Sequence, residues 1–324
     1  MQPRSERSCS KSSAYPSSAG YLFMTPAIAL LPRVLAPLDV PGVRWYVDDI
    51  NPDPADCADV GFFVPRYLGS GPNAHLSVEM PHLEVLQLLT IGYDYALEYV
   101  RPGVALCNAQ GVHEASTAEL TLGLIIASLR GIDRSVREGA AGIWNHQRGE
   151  SLQGKRMLII GAGPVGRAIA AVCAPMGASI TMVAQTARGD VAAVTELPGL
   201  LPHADVVVLA VPLTPATQGM VDAQFLAQLK PGSLLVNVAR GSVVVTPDLV
   251  RELETGRIRA ALDVTDPEPL PVDHVLWSMP NVLITPHVGG DSDAFPVLAR
   301  ALIARQIHNW RTGSRLENVI HVAG

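Results

Sequence analysis

Four short stretches of this sequence hold residues whose types and spacing suit a chemical task. The first is Gly161-Ala162-Gly163-Pro164-Val165-Gly166, which fits the pattern GxGxxG. Such hexapeptides arise readily in a chain with 28 glycines, so the pattern takes its weight from its neighbours. The apolar run MLII precedes it and the helical pattern RAIAAVCAPMG follows. A strand, a tight turn and a helix start set unpaired backbone N–H groups and the positive end of a helix against a pyrophosphate. Gly161 suits the turn, Gly163 the close approach of phosphate, and Gly166 the packing of helix on strand, with Pro164 and Val165 opening the helix.

The other three stretches lie downstream. LVNVARG (235–241) puts Arg240 just past a strand, LDVTDPEPLP (262–271) puts Glu268 in a Pro-bounded loop, and ITPHVGG (284–290) puts His287 at the end of another strand. A guanidinium binds carboxylates through a planar fork, and an imidazole carries a proton near neutral pH. A carboxylate in hydrogen-bond reach of that imidazole favours its protonated form. Taken singly, Arg240 reads equally as a surface ion pair, Glu268 as a solvated acid and His287 as a satisfied, partly buried histidine. Together they follow the carboxyl ends of strands in one parallel sheet, where open α/β folds bind ligands.

The elements that must position these groups are legible as two units. In the first, AIALLP (27–32), VRWYV (43–47), DVGFFVP (59–65) and LEVLQLL (83–89) predict strands of a small α/β unit. HEASTAELTLGLIIASLRGIDRSVREG (113–139) predicts one long helix, with Ser116 or Thr117 as an early cap. In the second, KRMLIIGAG (155–163), SITMVA (179–184), ADVVVLAVP (204–212), GSLLVNVA (232–239), AALDV (260–264) and NVLITPHV (281–288) are apolar, mostly β-branched runs. Continuous apolar strands joined by crossovers imply a parallel sheet buried on both faces. The last helix, about 294–311, finds no strand left to cover there and is expected to return to the first unit. The expected division is therefore 24–115 with 293–324, a discontinuous domain, and 116–292.

Composition bounds the partners. With 324 residues, two domains of ordinary size are expected. A net charge of −6 without a basic run argues against nucleic acid or an anionic membrane as the main partner. Hydrophobic residues at 48% and charged residues at 17% exclude wholesale disorder. Cys9, Cys57, Cys107 and Cys173 are widely spaced, with no metal-binding or disulfide pattern, so no metal is expected and a reducing cytoplasm fits. No apolar run is long enough to span a bilayer. Residues 1–23, Ser-rich at first, read as a disordered tail, with Met24 as an alternative start. Apart from Lys11, Lys155 and Lys230, every basic residue is an arginine, so an arginine counts as functional only where its neighbours support it.

The second strand of the dinucleotide unit bears on cofactor choice. A fold selecting NAD normally carries an acid about 20 residues past the glycines, accepting from the ribose 2′-OH. Here SITMVA ends at Ala184, Gln185, Thr186, Ala187 and Arg188 follow, and the first acid is Asp190. Without that carboxylate nothing repels a 2′-phosphate, and Thr186 and Arg188 can hold one by charge-assisted hydrogen bonds. Arg188 reads alternatively as a solvated loop residue. The expectation is NADP, with NAD as the other possibility.

The glycine loop, the HEASTAELTLGLIIASLR helix, ADVVVLAVPLTPATQGMVD, LKPGSLLVNVARG, LDVTDPEPLP and ITPHVGG together resemble the D-isomer-specific 2-hydroxyacid dehydrogenases. The likeness is to their glyoxylate/hydroxypyruvate-reductase-like and phosphoglycerate-dehydrogenase-like branches, over most of residues 75–290. It implies two Rossmann-like, doubly wound α/β domains with the cofactor in the cleft, a homodimer, and a small 2-keto acid as substrate. It also implies that Arg240, Glu268 and His287 are the catalytic set, that Asp263 lies near the nicotinamide carboxamide, and that Pro212 borders the cofactor. The chain departs from the pattern at TIGYD (90–94), where relatives commonly carry a glycine-rich turn, and Arg66-Tyr67-Leu68-Gly69 occupies the expected substrate loop. Two other functions remain open on these residues: a cofactor-sensing binding protein of the corepressor type, and phosphite oxidation.

Overall fold

Residues 28–47, 50–67 and 73–322 are described by the computed structural model, with backbone alone for 321–322. The expected tail at 1–23, Met24, and Leu68 and Gly69 of the expected substrate loop lie outside the described residues. In the first unit the strands are β1 (Ile28–Pro32), β2 (Val43–Tyr46), β3 (Val60–Phe63), β4 (Val85–Gln87) and β5 (Ala105–Cys107), ordered β2-β1-β3-β4-β5 and all parallel. Their side chains alternate between two cores. Ala29, Leu31, Phe62, Val85 and Cys107 face one, and Leu30, Phe63, Leu86 and Leu106 face the other. A sheet buried on both faces needs few polar positions, which is why the central strands β1 and β3 are continuous apolar runs, while the edge strand β2 carries Arg44.

The second sheet contains β6 (Arg156–Ile160), β7 (Ser179–Ala184), β8 (Val191–Ala193), β9 (Val206–Leu209), β10 (Leu234–Asn237), β11 (Arg259–Leu262) and β12 (Val282–Ile284). Its order is β8-β7-β6-β9-β10-β11-β12, parallel throughout. The direction of winding reverses between β6 and β9, and in the first sheet between β1 and β3, so both are doubly wound. The helix Glu114–Arg130 covers one face of the second sheet through Ala118, Leu124, Ile125 and Leu129. The helix Phe295–Thr312 packs instead on the first sheet, where Phe295, Ala299, Leu302, Ile303 and Ile307 share a core with β1 and β3. The last described element is β13 (Val319–Val322), which joins β5 antiparallel. No single described helix is long and apolar enough to cross a membrane.

Three local expectations change. The helix expected over 113–139 breaks at Gly131, whose φ of +63° ends Glu114–Arg130, and Ile132–Ala140 departs at a 67° bend. Ser116 and Thr117 do not cap it. The helix starts earlier, at Glu114, and Ser116 Oγ instead meets Ser292 Oγ at 2.7 Å, tying together the two chain crossings between the sheets. The strands β5, β8 and β13 carry no clear sequence signal, because two of them are only three residues long and the third sits beyond the last helix.

Candidate active site

The turn after β6 is built by backbone contact. Gly161 has φ +119°, and a Cβ there would stand 2.2 Å from Ala210 O. A Cβ on Gly166 would stand 1.9 Å from Gly161 O, so neither position admits a side chain. Gly163 is different: nothing lies within 4 Å of where its Cβ would be. It is the N-cap of the helix Pro164–Cys173 and supplies no side-chain cap, while Pro164 has no N–H to leave unpaired. An open approach, an uncapped helix start and the N–H groups of Val165 and Gly166 fit the pyrophosphate of a dinucleotide. Pro212 lies exposed beyond β9, two residues past the Ala210 peptide that Gly161 touches. Thr186 and Arg188 lie exposed beyond β7, in a turn closed by reciprocal backbone bonds between Arg188 and Val191 at 3.0 Å. Asp190 sits in that turn and no carboxylate precedes it after β7.

Arg240, Glu268 and His287 follow β10, β11 and β12, three adjacent strands of the same sheet. Asn237 fixes the first turn, its Nδ2 donating to Arg240 O at 3.0 Å and its Oδ1 accepting from Ala239 N at 3.0 Å. Gly241 lets the loop of Glu268 close in, since a Cβ there would lie 1.8 Å from Thr265 O. His287 Nδ1 bonds to Glu268 Oε1, and the two side chains are 45% and 40% exposed, open to the cleft. With Nδ1 engaged, Nε2 is the ring nitrogen left to exchange a proton with a bound molecule. Burial pushes the Glu268 carboxyl up, but the hydrogen bond and charge of His287, a backbone bond from the Thr265 region and the charge of Arg240 outweigh it. The carboxyl therefore ionises below its ordinary range.

His287 holds a left-handed backbone, φ +54°, with its N–H directed to Asp263 O at 2.8 Å and Thr285 O at 3.0 Å. Asp263 is 3% exposed. Its Oδ1 accepts from Thr285 Oγ1 at 2.7 Å and Val288 N at 3.0 Å, and its Oδ2 from Gly289 N at 2.9 Å. The structure thus gives this carboxylate to the turn that carries His287. Gly289 is part of that arrangement, because its Cβ would stand 2.8 Å from Asp263 Oδ2.

Sequence reasoning marked 90–94 only as a departure from the family pattern and missed that its groups meet Arg240 from the other sheet. Asp94 Oδ1 lies 3.4 Å from Arg240 Nε, and a Cβ on Gly92 would lie 1.4 Å from Arg240 Nη2. The available signal was their place: 90–94 follows β4, at the carboxyl end of a strand in a doubly wound sheet. Of the expected substrate loop, Arg66 is buried and donates through Nη2 to Asn51 Oδ1 at 2.8 Å, while Tyr67 stacks on Phe295 at 4.3 Å.

The comparisons with known proteins agree with this geometry. The family model for the D-isomer specific 2-hydroxyacid dehydrogenase, NAD binding domain, matches residues 122–289. Human glyoxylate reductase/hydroxypyruvate reductase is 33% identical over 222 residues, covering 64% of this chain and 68% of that one. The glyoxylate reductase of Pyrococcus furiosus is 33% identical over 250 residues, covering 72% of this chain and 74% of that one. A solved D-isomer specific 2-hydroxyacid dehydrogenase from Xanthobacter autotrophicus Py2, in complex with NADPH and MES, superposes with a TM-score of 0.75 at 26% identity, over 91% of this chain and 98% of that one. Two doubly wound sheets, a dinucleotide turn and these matches lead to one statement: the chain belongs to the D-isomer-specific 2-hydroxyacid dehydrogenases, NAD(P)-dependent oxidoreductases.

Proposed function

We propose that this chain reduces a small 2-keto acid, such as glyoxylate or hydroxypyruvate, to the D-2-hydroxy acid, with NADPH preferred to NADH. The observation that carries the reading is the His287–Glu268 pair, standing beside Arg240 at the strand ends of the sheet that bears the dinucleotide turn. Gly161, Gly163, Pro164, Val165 and Gly166 hold the pyrophosphate, and Pro212 borders it. When bound, the dihydronicotinamide supplies the hydride. Arg240 binds the keto-acid carboxylate and polarises the adjacent carbonyl. His287 Nε2 donates a proton to the carbonyl oxygen and takes it back in the reverse direction. Glu268 holds and orients the imidazole through Nδ1. Asp263 serves this site by fixing the His287 turn, and its role toward the nicotinamide carboxamide is part of the same reading.

The exposed turn at Thr186 and Arg188, with no acid before Asp190, supports the phosphorylated cofactor, as does the relative solved with NADPH. The chain segments 24–115 with 293–324, and 116–292, act in this reading as two bodies that close over the substrate and exclude water. Buried free thiols at Cys57, Cys107 and Cys173 suit a reducing cytoplasm. The homodimer implied by the family likeness belongs to the same reading and is checked by sedimentation. The central test is a matrix of glyoxylate, hydroxypyruvate, pyruvate and bulkier 2-keto acids against NADPH and NADH, read by cofactor absorbance. Turnover of a small keto acid with NADPH is expected. Tight cofactor binding without turnover returns the sensor reading, and cofactor reduction by phosphite returns the third.

A further inference from the structure

We infer that Asp94 is a positioning residue for Arg240, and that the turn 90–94 of the first unit is a socket that aims the guanidinium at the substrate carboxylate. The inference rests on the reading of Arg240 as the carboxylate-binding group. Arg240 projects from the second sheet, but much of its surroundings comes from the first. Asp94 Oδ1 lies 3.4 Å from Nε as an ion pair, and Nη2 lies where a side chain on residue 92 would have to be. Nη1 donates to Ala239 O at 2.8 Å.

The socket is itself braced. Thr90 Oγ1 donates to Gly92 O at 2.6 Å and meets Tyr95 Oη at 3.0 Å, while Asn108 Nδ2 donates to Ile91 O at 2.9 Å. These bonds hold the turn without using Asp94, whose carboxylate is turned to the guanidinium. Counting donors shows what this achieves. A guanidinium has five N–H groups in a fixed fork. The Nε side carries the ion-pair contact with Asp94 and one Nη1–H is given to Ala239 O, which leaves the end formed by Nη1 and Nη2 for a bidentate carboxylate. Asp94 thereby selects which edge of the fork is presented. Because it comes from the opposite unit, that edge is set only when the two units are in register.

The experiment is a double-mutant cycle on keto-acid reduction, using Asp94→Asn, Arg240→Ala and the pair. It is paired with the Kd of oxamate, an unreactive keto-acid analogue, on the cofactor-loaded enzyme. Asp94→Asn in the otherwise native chain is expected to raise the keto-acid KM and the oxamate Kd by about tenfold, the size of one coupled charged pair. The NADPH KM and the melting temperature stay unchanged. In the Arg240→Ala background the same substitution changes neither quantity by more than about twofold. Asp94→Glu restores part of the loss. Equal effects in both backgrounds, or no effect in the native one, overturn the inference. Near-normal turnover of Arg240→Ala alone defeats the parent reading instead, so the two failures are told apart.

Discussion

His287 and Arg240 are each held by a carboxylate, but the two carboxylates come from different places. Glu268 follows β11, in the same sheet as the imidazole it supports. Asp94 follows β4 in the other sheet and reaches Arg240 across the space between the units. The His287–Glu268 pair is therefore preorganised inside one sheet, with Asp263 locking its turn. The surroundings of Arg240 are completed only by contact with the other sheet. In the proposed function this means that proton transfer is built in, while recognition of the substrate carboxylate depends on how the two units meet.

Substitutions on the two sides should behave differently. The largest effect is expected from His287→Ala, which should lower kcat by at least ~100-fold with any keto acid, since acid–base help of that order is lost. Single-turnover kinetics measures this, and near-native turnover would break the assignment. Gly92→Ala should follow, because its Cβ would displace the guanidinium. A fall of about 10–100-fold in kcat/KM is expected for a misplaced binding group, with an unchanged NADPH KM. Loss of NADPH affinity as well would mean that the socket is not local to recognition.

Arg188→Ala tests the same-sheet side at its far end. It should raise the NADPH KM about tenfold through one lost charged hydrogen bond, and leave both the NADH KM and the keto-acid KM unchanged. The smallest effect is a stability difference. The Glu268 carboxyl ionises below its ordinary range in the folded chain, so its contribution is present above that range and disappears as pH falls through the depressed value. The melting temperature of the native chain should therefore exceed that of Glu268→Gln at neutral pH, and the gap should close on acidification. A gap that widened in acid would contradict the sign.

What could be read in advance follows the range of each interaction along the chain. The glycine turn is local, with strand, turn and helix contiguous, and both glycines that touch backbone were marked by their spacing together with those neighbours. Arg240, Glu268 and His287 stand just past strands that announce themselves by β-branched runs. Gly92 and Asp94 stood out only as part of TIGYD, a departure from the family pattern, because their meeting with Arg240 arises only when a loop of one sheet meets a loop of the other, about 150 residues on. The break at Gly131 was hidden by helical residues on both sides, since a single glycine inside a periodic run is as often tolerated as it is terminal. Asp263 was expected beside the cofactor by likeness alone, and the three donors its carboxylate accepts from the His287 turn had no signal in the sequence.

The dinucleotide grip has two halves of unequal freedom. Gly161 and Gly166 press backbone against backbone, so that half cannot drift without disturbing the core beneath it. The turn from Gln185 to Asp190 stands in water and bonds mainly to itself. On the proposed reading of that turn as the seat of the 2′-phosphate, exchange of residues there, including an acid at Ala184 or Gln185, would retarget the protein to the unphosphorylated dinucleotide at little cost to folding. Choice between the two coenzymes would then be an evolvable trait carried on a detachable edge of an otherwise frozen scaffold.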